Sequence, residues 1–411
     1  MEVKPGYLHT DVGVIPDDWS LMTYGDVFNF LSTATYSRSE LTEGDDVKYV
    51  HYGDIHTKWD GYLDFSEEYL PTLESGKTKA YHLIKEGDII MADASEDYGG
   101  VGKSVEVKNI GNNKAISGLH TFLLRDNNEV FVNGFKGYIH CNEIIKKQFY
   151  RYATGLKVFG ISKNILKSIQ IPVPPKAEQT AIATALSDAD ALIQSLEKLI
   201  AKKRLIKQGA MQKLLKPKEG WVVKRLGEVA NMFSGGTPNT SVTEYYRGYI
   251  PWIISSDLNK KIIYNVKGKI SQSGLINSSA KMIKPNTLLI ALYGATAGVT
   301  AISKIEAAIN QAVLAIAPDS SINNLFLFYL LSYMKESIII NYTQGGQPNL
   351  SKQILQSLEV TVPPFDEQNK ISTYLSDIEK EIAALESKLE KYKQIKQGMM
   401  QNLLTGKIRL V

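Results

Sequence analysis

Pro174-Pro175-Lys176-Ala177-Glu178-Gln179 opens a single long helical pattern whose apolar residues are Ile182, Leu186, Ala189, Ile193, Leu196 and Ile200. These positions alternate steps of four and three, the seven-residue repeat of a helix whose narrow apolar seam faces another helix. The chain supplies a partner of its own. From Pro363-Pro364 through Glu367-Gln368 the pattern starts again, with Ile371, Leu375, Ile378, Ile382, Leu385 and Leu389 on the seam. Both copies carry Leu-Ser-Asp, at 186–188 and 375–377, and both close on Lys-Gln-Gly followed by Met-Gln and Leu-Leu, at 207–215 and 396–404. This is an internal repeat.

The two helices divide the chain into residues 1–173, a first domain; 174–216, a first helix; 217–362, a second domain; and 363–411, a second helix. The domains echo each other faintly. Trp221 and Gly227-Glu228-Val229 repeat Trp19 and Gly25-Asp26-Val27, while Val362-Pro363-Pro364 repeats Val173-Pro174-Pro175. Within 1–173, turn-rich stretches separate short apolar runs such as Ile89-Ile90-Met91; a strand is expected at 121–124 and a helix at 142–152. The fold class expected is α+β: two similar mixed α/β domains separated by an antiparallel pair of long coiled-coil helices, pseudo-two-fold. Short links at the helix N-termini favour that antiparallel pairing. A helix of about 42 residues would be a rod of roughly 63 Å setting the distance between two similar, non-identical domains.

With 411 residues, 44% hydrophobic and 22% charged, the chain has ordinary soluble composition and enough apolar material for several cores. The lone Cys141 excludes a disulfide framework and a Cys-based zinc site. No apolar run is long enough to span a bilayer and residues 1–10 lack a signal-peptide core, so a cytoplasmic location is expected. The net charge of +4 is unevenly spread: residues 1–173 hold 18 basic and 24 acidic side chains, whereas 219–362 hold 12 and 8. Binding of nucleic acid by the first domain therefore requires its Lys and Arg to gather on one face.

Two similar readers held a fixed distance apart match the geometry that reads two half-sites along a duplex. The whole chain resembles a specificity (S) subunit of a type I restriction-modification system. The matching residues are the paired Pro-Pro-x-x-Glu-Gln helices with Leu-Ser-Asp and Lys-Gln-Gly-x-Met-Gln, and the Trp-x-x-x-x-x-Gly-Glu/Asp-Val opening of each domain. The resemblance implies two target recognition domains and two conserved helices that hold two modification (methyltransferase) subunits. With restriction (endonuclease/translocase) subunits added, such an assembly methylates adenine or cleaves double-stranded DNA. The chain itself would be non-catalytic and without a cofactor, the methyl donor and nucleotide belonging to partner subunits.

Catalytic readings of the residues fare poorly. Gly102-Lys103-Ser104 ends like a phosphate loop, but Asp97 stands where its first glycine is required, so a turn between strands is the expectation. Val362-Pro363-Pro364-Phe365 looks like an adenine methyltransferase loop without its polar first residue, and reads better as a helix entry. His51 and His56, with Asp54 between them, lack helical zinc spacing and are expected in a surface loop.

Candidate DNA-binding residues follow from what phosphates and base edges accept. In the first domain these are Lys77, Lys79, Arg151, Lys157 and Lys163. In the second they are Ser234, Thr237, Arg247, Ser255, Asn310, Gln311, Gln344, Gln347, Asn349 and Lys352. A solvated surface charge or a turn hydrogen bond is the ordinary reading of each one singly. A structural adaptor gripping two different proteins would also explain the rod, but not amide-bearing, Gly-rich loops at matching places in both domains.

Overall fold

The computed structural model describes residues 4–44, 46–342 and 349–410. The chain forms two compact units, residues 1–197 with 388–411, and residues 198–387. Each unit contains one domain together with part of each long helix, Lys176–Leu214 and Phe365–Leu403.

The first domain is built on a five-stranded sheet in the order Asn29–Leu31, Thr121–Arg125, Ile89–Ala92, Ser104–Lys108, Gly61–Asp64. Its pairs are antiparallel except the last, which is parallel. The second domain repeats that order and that single parallel pair with Ala230–Ser234, Val313–Pro318, Thr287–Ala291, Thr300–Ser303 and Ile262–Ile263. A smaller sheet lies beside each: Val47–Val50 runs parallel to Lys114–Ser117, and Ile250–Ile253 parallel to Ala307–Ile309. The duplication seen weakly in sequence is thus plain in topology. Ile89, Ile90, Met91 and Ala92 are all buried, as are Leu288 to Ala291, because a central strand covered on both faces needs a continuous apolar run. The expected strand is Thr121–Arg125 and the expected helix is Glu143–Tyr152, capped by the Asn142 side chain.

Each domain is entered and left along one paired edge. Ser20–Thr23 pairs antiparallel with Gln170–Val173, and Val222–Arg225 with Glu359–Val362. The Gly of each opening motif lies where two short helices meet, Tyr24–Val27 against Lys163–Ser168 and Leu226–Val229 against Lys352–Ser357. A Cβ at Gly25 would sit 3.1 Å from the Lys167 carbonyl oxygen, and one at Gly227 3.0 Å from that of Gln356. The glycine therefore permits close backbone approach.

The Gln of each Pro-Pro-x-x-Glu-Gln motif is buried and holds the domain to its helix. Gln179 Oε1 accepts from the Val132 amide while its Nε2 donates to the Val130 and Pro174 carbonyls. Gln368 does the same with the Asn323 amide and the Ser321 and Pro363 carbonyls. Glu178 is fully buried and accepts from Trp19 Nε1 at 2.8 Å and from the Arg409 guanidinium at 2.7 Å. Glu367, in contrast, is half-buried and pairs with Lys218 at 3.3 Å.

Ion pairs show the direction of the helices within each unit. In the first, Asp190 pairs with Lys396 at 2.6 Å and Glu197 with Lys393 at 2.7 Å. In the second, Lys203 pairs with Glu381 and Lys207 with Glu379. Numbers rise along one helix as they fall along the other, so the pairing is antiparallel. The seam residues do two jobs. Ile182 and Leu186 join the core of the first domain together with Leu403 and Leu404, and Ile371 and Leu375 join that of the second with Leu215. Ile193, Leu196, Ile200, Ile378 and Ile382 are also buried, whereas Leu385 and Leu389 are half-buried.

A three-part polar node recurs where each domain meets its helices. In the first unit Tyr138 donates to Asp190, Asp190 pairs with Lys396, and the Lys396 ammonium lies 5.9 Å from the Tyr138 ring centre. In the second, Tyr329 donates to Glu379, Glu379 pairs with Lys207, and Lys207 lies 5.8 Å from the Tyr329 ring centre. Both lysines belong to the Lys-Gln-Gly motifs. Burial favours an uncharged Lys396, yet Asp60 and Asp190 outweigh it and hold the ammonium above the usual lysine range.

Candidate nucleic-acid interface

Matching backbone contacts align the loops at one end of both domains. The Asp93 amide donates to the His120 carbonyl and the Ile161 amide to that of Asp93; the Leu292 amide donates to the Ala312 carbonyl and the Leu350 amide to that of Leu292. Val50 opposes Ser117 as Ile253 opposes Ile309. Gly118, Leu119 and His120 therefore correspond to Asn310, Gln311 and Ala312, and Tyr52 corresponds to Ser255.

In the second domain this end gathers several predicted residues. Thr237 donates its hydroxyl to the Gln311 amide oxygen, and the Asn310 backbone amide donates to the Ile253 carbonyl, two residues before Ser255. Asn310 is buried, its Oδ1 accepting from the Ala312 amide, so it shapes the loop, while Gln311 is exposed. Ser234 ends the adjoining strand and Asn349 bridges to Tyr293. Lys352 is exposed at the start of the helix Lys352–Ser357. Arg247 is exposed after the separate turn Thr243–Tyr246. Gln344 and Gln347 lie outside the described residues.

In the first domain Lys163 is the counterpart of Lys352, each opening a short helix two residues after the matched amides of Ile161 and Leu350. Lys77 and Lys79 are exposed around the turn Ser75–Lys77. Arg151 lies 5.6 Å from the Tyr152 ring, Lys157 is exposed in the following loop, and Lys163 lies 5.5 Å from the Phe30 ring. At the end equivalent to the Gln311 loop stand residues the sequence reading set aside. His51 and His56 are not in a surface loop: His51 is buried as the cap of the short helix Tyr52–Thr57, which carries His56. Asp54 is buried between Arg38 and Lys58, at 2.9 and 3.2 Å. The Tyr52 ring lies tilted against His51, centroids 4.6 Å apart, and meets His120 edge-on at 5.4 Å. The clue was His51-Tyr52-Gly53-Asp54-Ile55 in register with Ile254-Ser255-Ser256-Asp257-Leu258.

Among the described residues, the groups that could suggest a reactive centre have ordinary structural settings. Gly102 turns into the strand Ser104–Lys108 and not into a helix, so no helix N-terminus is available there to cradle phosphate. Cys141 and His140 touch at 3.3 Å, but burial pushes the thiol up to about 11 and His140 down to about 4, leaving neither as an ion at neutral pH. No cluster of three or more metal-binding side chains occurs among the described residues. No described helix is long and apolar enough to cross a membrane.

Two domains of one topology, each presenting a different polar loop end, define a paired recognition module. Residues 16–203 and 218–397 match the type I restriction modification DNA specificity domain, and the chain belongs to that family. The MjaVIII type I restriction enzyme specificity subunit of Methanocaldococcus jannaschii is 28% identical, covering 96% of this chain and 94% of its own. The EcoR124I/EcoR124II specificity subunit of Escherichia coli is 27% identical over 51% of this chain and 55% of its own. The crystal structure of the type I S subunit from M. genitalium superposes with a TM-score of 0.56 at 15% identity, over 98% of both chains. The HsdS subunit from Thermoanaerobacter tengcongensis gives 0.52 at 19%, over 96% of this chain and 98% of its own. DNA recognition is accordingly the role of this chain.

Proposed function

We propose that each domain reads one half of a bipartite, asymmetric duplex site, and that the paired helices scaffold two modification subunits and, where the cell supplies them, restriction subunits. The observation that carries this reading is the contrast between equivalent loops: His51, Tyr52 and His120 in one domain stand where Ser255 and the Gln311 loop stand in the other. Identical readers would demand a symmetric site; these differ in hydrogen-bonding capacity and charge, so the half-sites differ. Chemistry is assigned to the partners, with the methyl donor and nucleotide bound there.

The test is equilibrium binding and methyl transfer by the purified chain, alone and with its modification subunits. Alone it should neither methylate nor cut; with them, one asymmetric interrupted motif should be methylated, and binding should weaken steeply with salt. Robust methyl transfer by the isolated, mass-verified chain would overturn the assignment, and capture of two proteins without any DNA affinity would favour an adaptor.

A further inference from the structure

We propose that His120 reads a purine edge in the first half-site, with its ring set by Asp93 and Tyr52; this rests on the DNA-facing reading of that loop end. His120 has φ of +55°, a left-handed conformation that residues other than Gly adopt at a cost and that recurs at functional sites. The side chain is nevertheless 52% exposed. It is held from two sides, Nδ1 lying 3.2 Å from Asp93 Oδ1 and the ring meeting that of Tyr52 edge-on. Nε2, on the far edge of the ring, makes no hydrogen bond among the described residues. The equivalent residue of the second domain is the buried Ala312, so this device belongs to the first domain alone.

The chemistry follows from which nitrogen is engaged. Nδ1 donates to the Asp93 carboxylate, so a neutral ring offers Nε2 as an acceptor and a protonated ring offers it as a donor. The other ionisable groups around the ring are His51, Tyr52 and His56 on the short helix, Asp54 with its partners Arg38 and Lys58, and Lys103, whose ammonium donates to the His56 carbonyl. Asp54 is already neutralised by two cations, leaving Asp93 as the anion that faces His120. Either form reaches the edge that a purine exposes in the major groove: a protonated ring donates from Nε2 to the N7, or to the O6 and N7, and a neutral ring accepts at Nε2 from the adenine N6 amino group.

The full-length chain would be titrated with duplexes bearing its own methylated motif and single-base variants of it. The expected result is about tenfold weaker binding when one purine of the first half-site is replaced by another base. His120→Asn, which tolerates the left-handed backbone, should remove that preference while leaving the second half-site and the unfolding temperature unchanged. His120→Gly, which relieves the backbone strain, should do the same. Asp93→Asn should weaken the purine preference without removing it and leave the unfolding temperature unchanged, a split that a purely structural role would not produce. Wild-type base preference in both His120 variants would overturn the assignment. Absence of any sequence-specific binding by the unaltered chain would instead overturn the DNA reading on which it stands.

Discussion

Gln179 and Gln368 show how one residue type becomes fixed in a repeat. Each uses three polar bonds to join a helix N-terminus, the strand before it and a domain loop, and each is buried. Gln179→Ala leaves the Val132 amide and the Val130 and Pro174 carbonyls without their partner, at a cost of about 2–4 kcal/mol, since each buried unsatisfied group costs about 1–3 kcal/mol. Gln179→Glu keeps the acceptor but loses both donated bonds, and should be nearly as damaging in chemical denaturation. His140 supplies a pH effect. Burial pulls its folded value down to about 4 from histidine's usual 6.5, so the stability tied to its neutral form is complete above pH 6.5 and declines as pH falls toward 4. About 3 kcal/mol should be lost across that window, and His140→Asn should flatten this part of the stability profile. The repeat marked both glutamines as special in sequence. Their reason was hidden, because the partners are backbone groups of loops 45 to 50 residues away.

Heptads were legible in the helices because their period is local. The node that ties helices to domains was not: the Lys-Gln-Gly motifs stood out, but Asp190 and Glu379 differ in type, and Tyr138 and Tyr329 are distant in sequence. Nor did the period show that Ile182 and Leu186 serve a domain core as well as a seam. Lys396→Ala removes the cation shared by Asp190 and Asp60 and should cost about 1–3 kcal/mol, because it strands the half-buried Asp190, while the exposed Asp60 is solvated. Lys396→Met with Asp190→Leu and Tyr138→Phe removes both charges and the hydroxyl that donates to Asp190, and should fall within about 1 kcal/mol of the parent, since apolar replacement of a whole polar group is often neutral. Thermal unfolding of the single and combined variants separates the two outcomes. Equal, large losses in both would mean that the node acts through packing and not through charge.

On the scale of the whole molecule, the duplication was readable from composition and spacing, and the repeated strand order makes it explicit. The DNA-facing residues were harder. Loop ends converge only in three dimensions, so the Gln311 loop could be suspected from its amides, whereas no sequence motif singled out His120. Charge was a poor guide as well: residues 1–173 are net acidic, yet their loop end carries an exposed imidazole with a free ring edge to offer a base. The central claim, that two readers act independently, is tested most directly by exchanging residues 219–362 for the corresponding domain of a relative and mapping the methylated motif in cells that also carry the modification subunit. Independent readers predict that one half of the motif changes while the other half is retained. A motif altered in both halves at once would contradict the account and indicate a single composite binding surface.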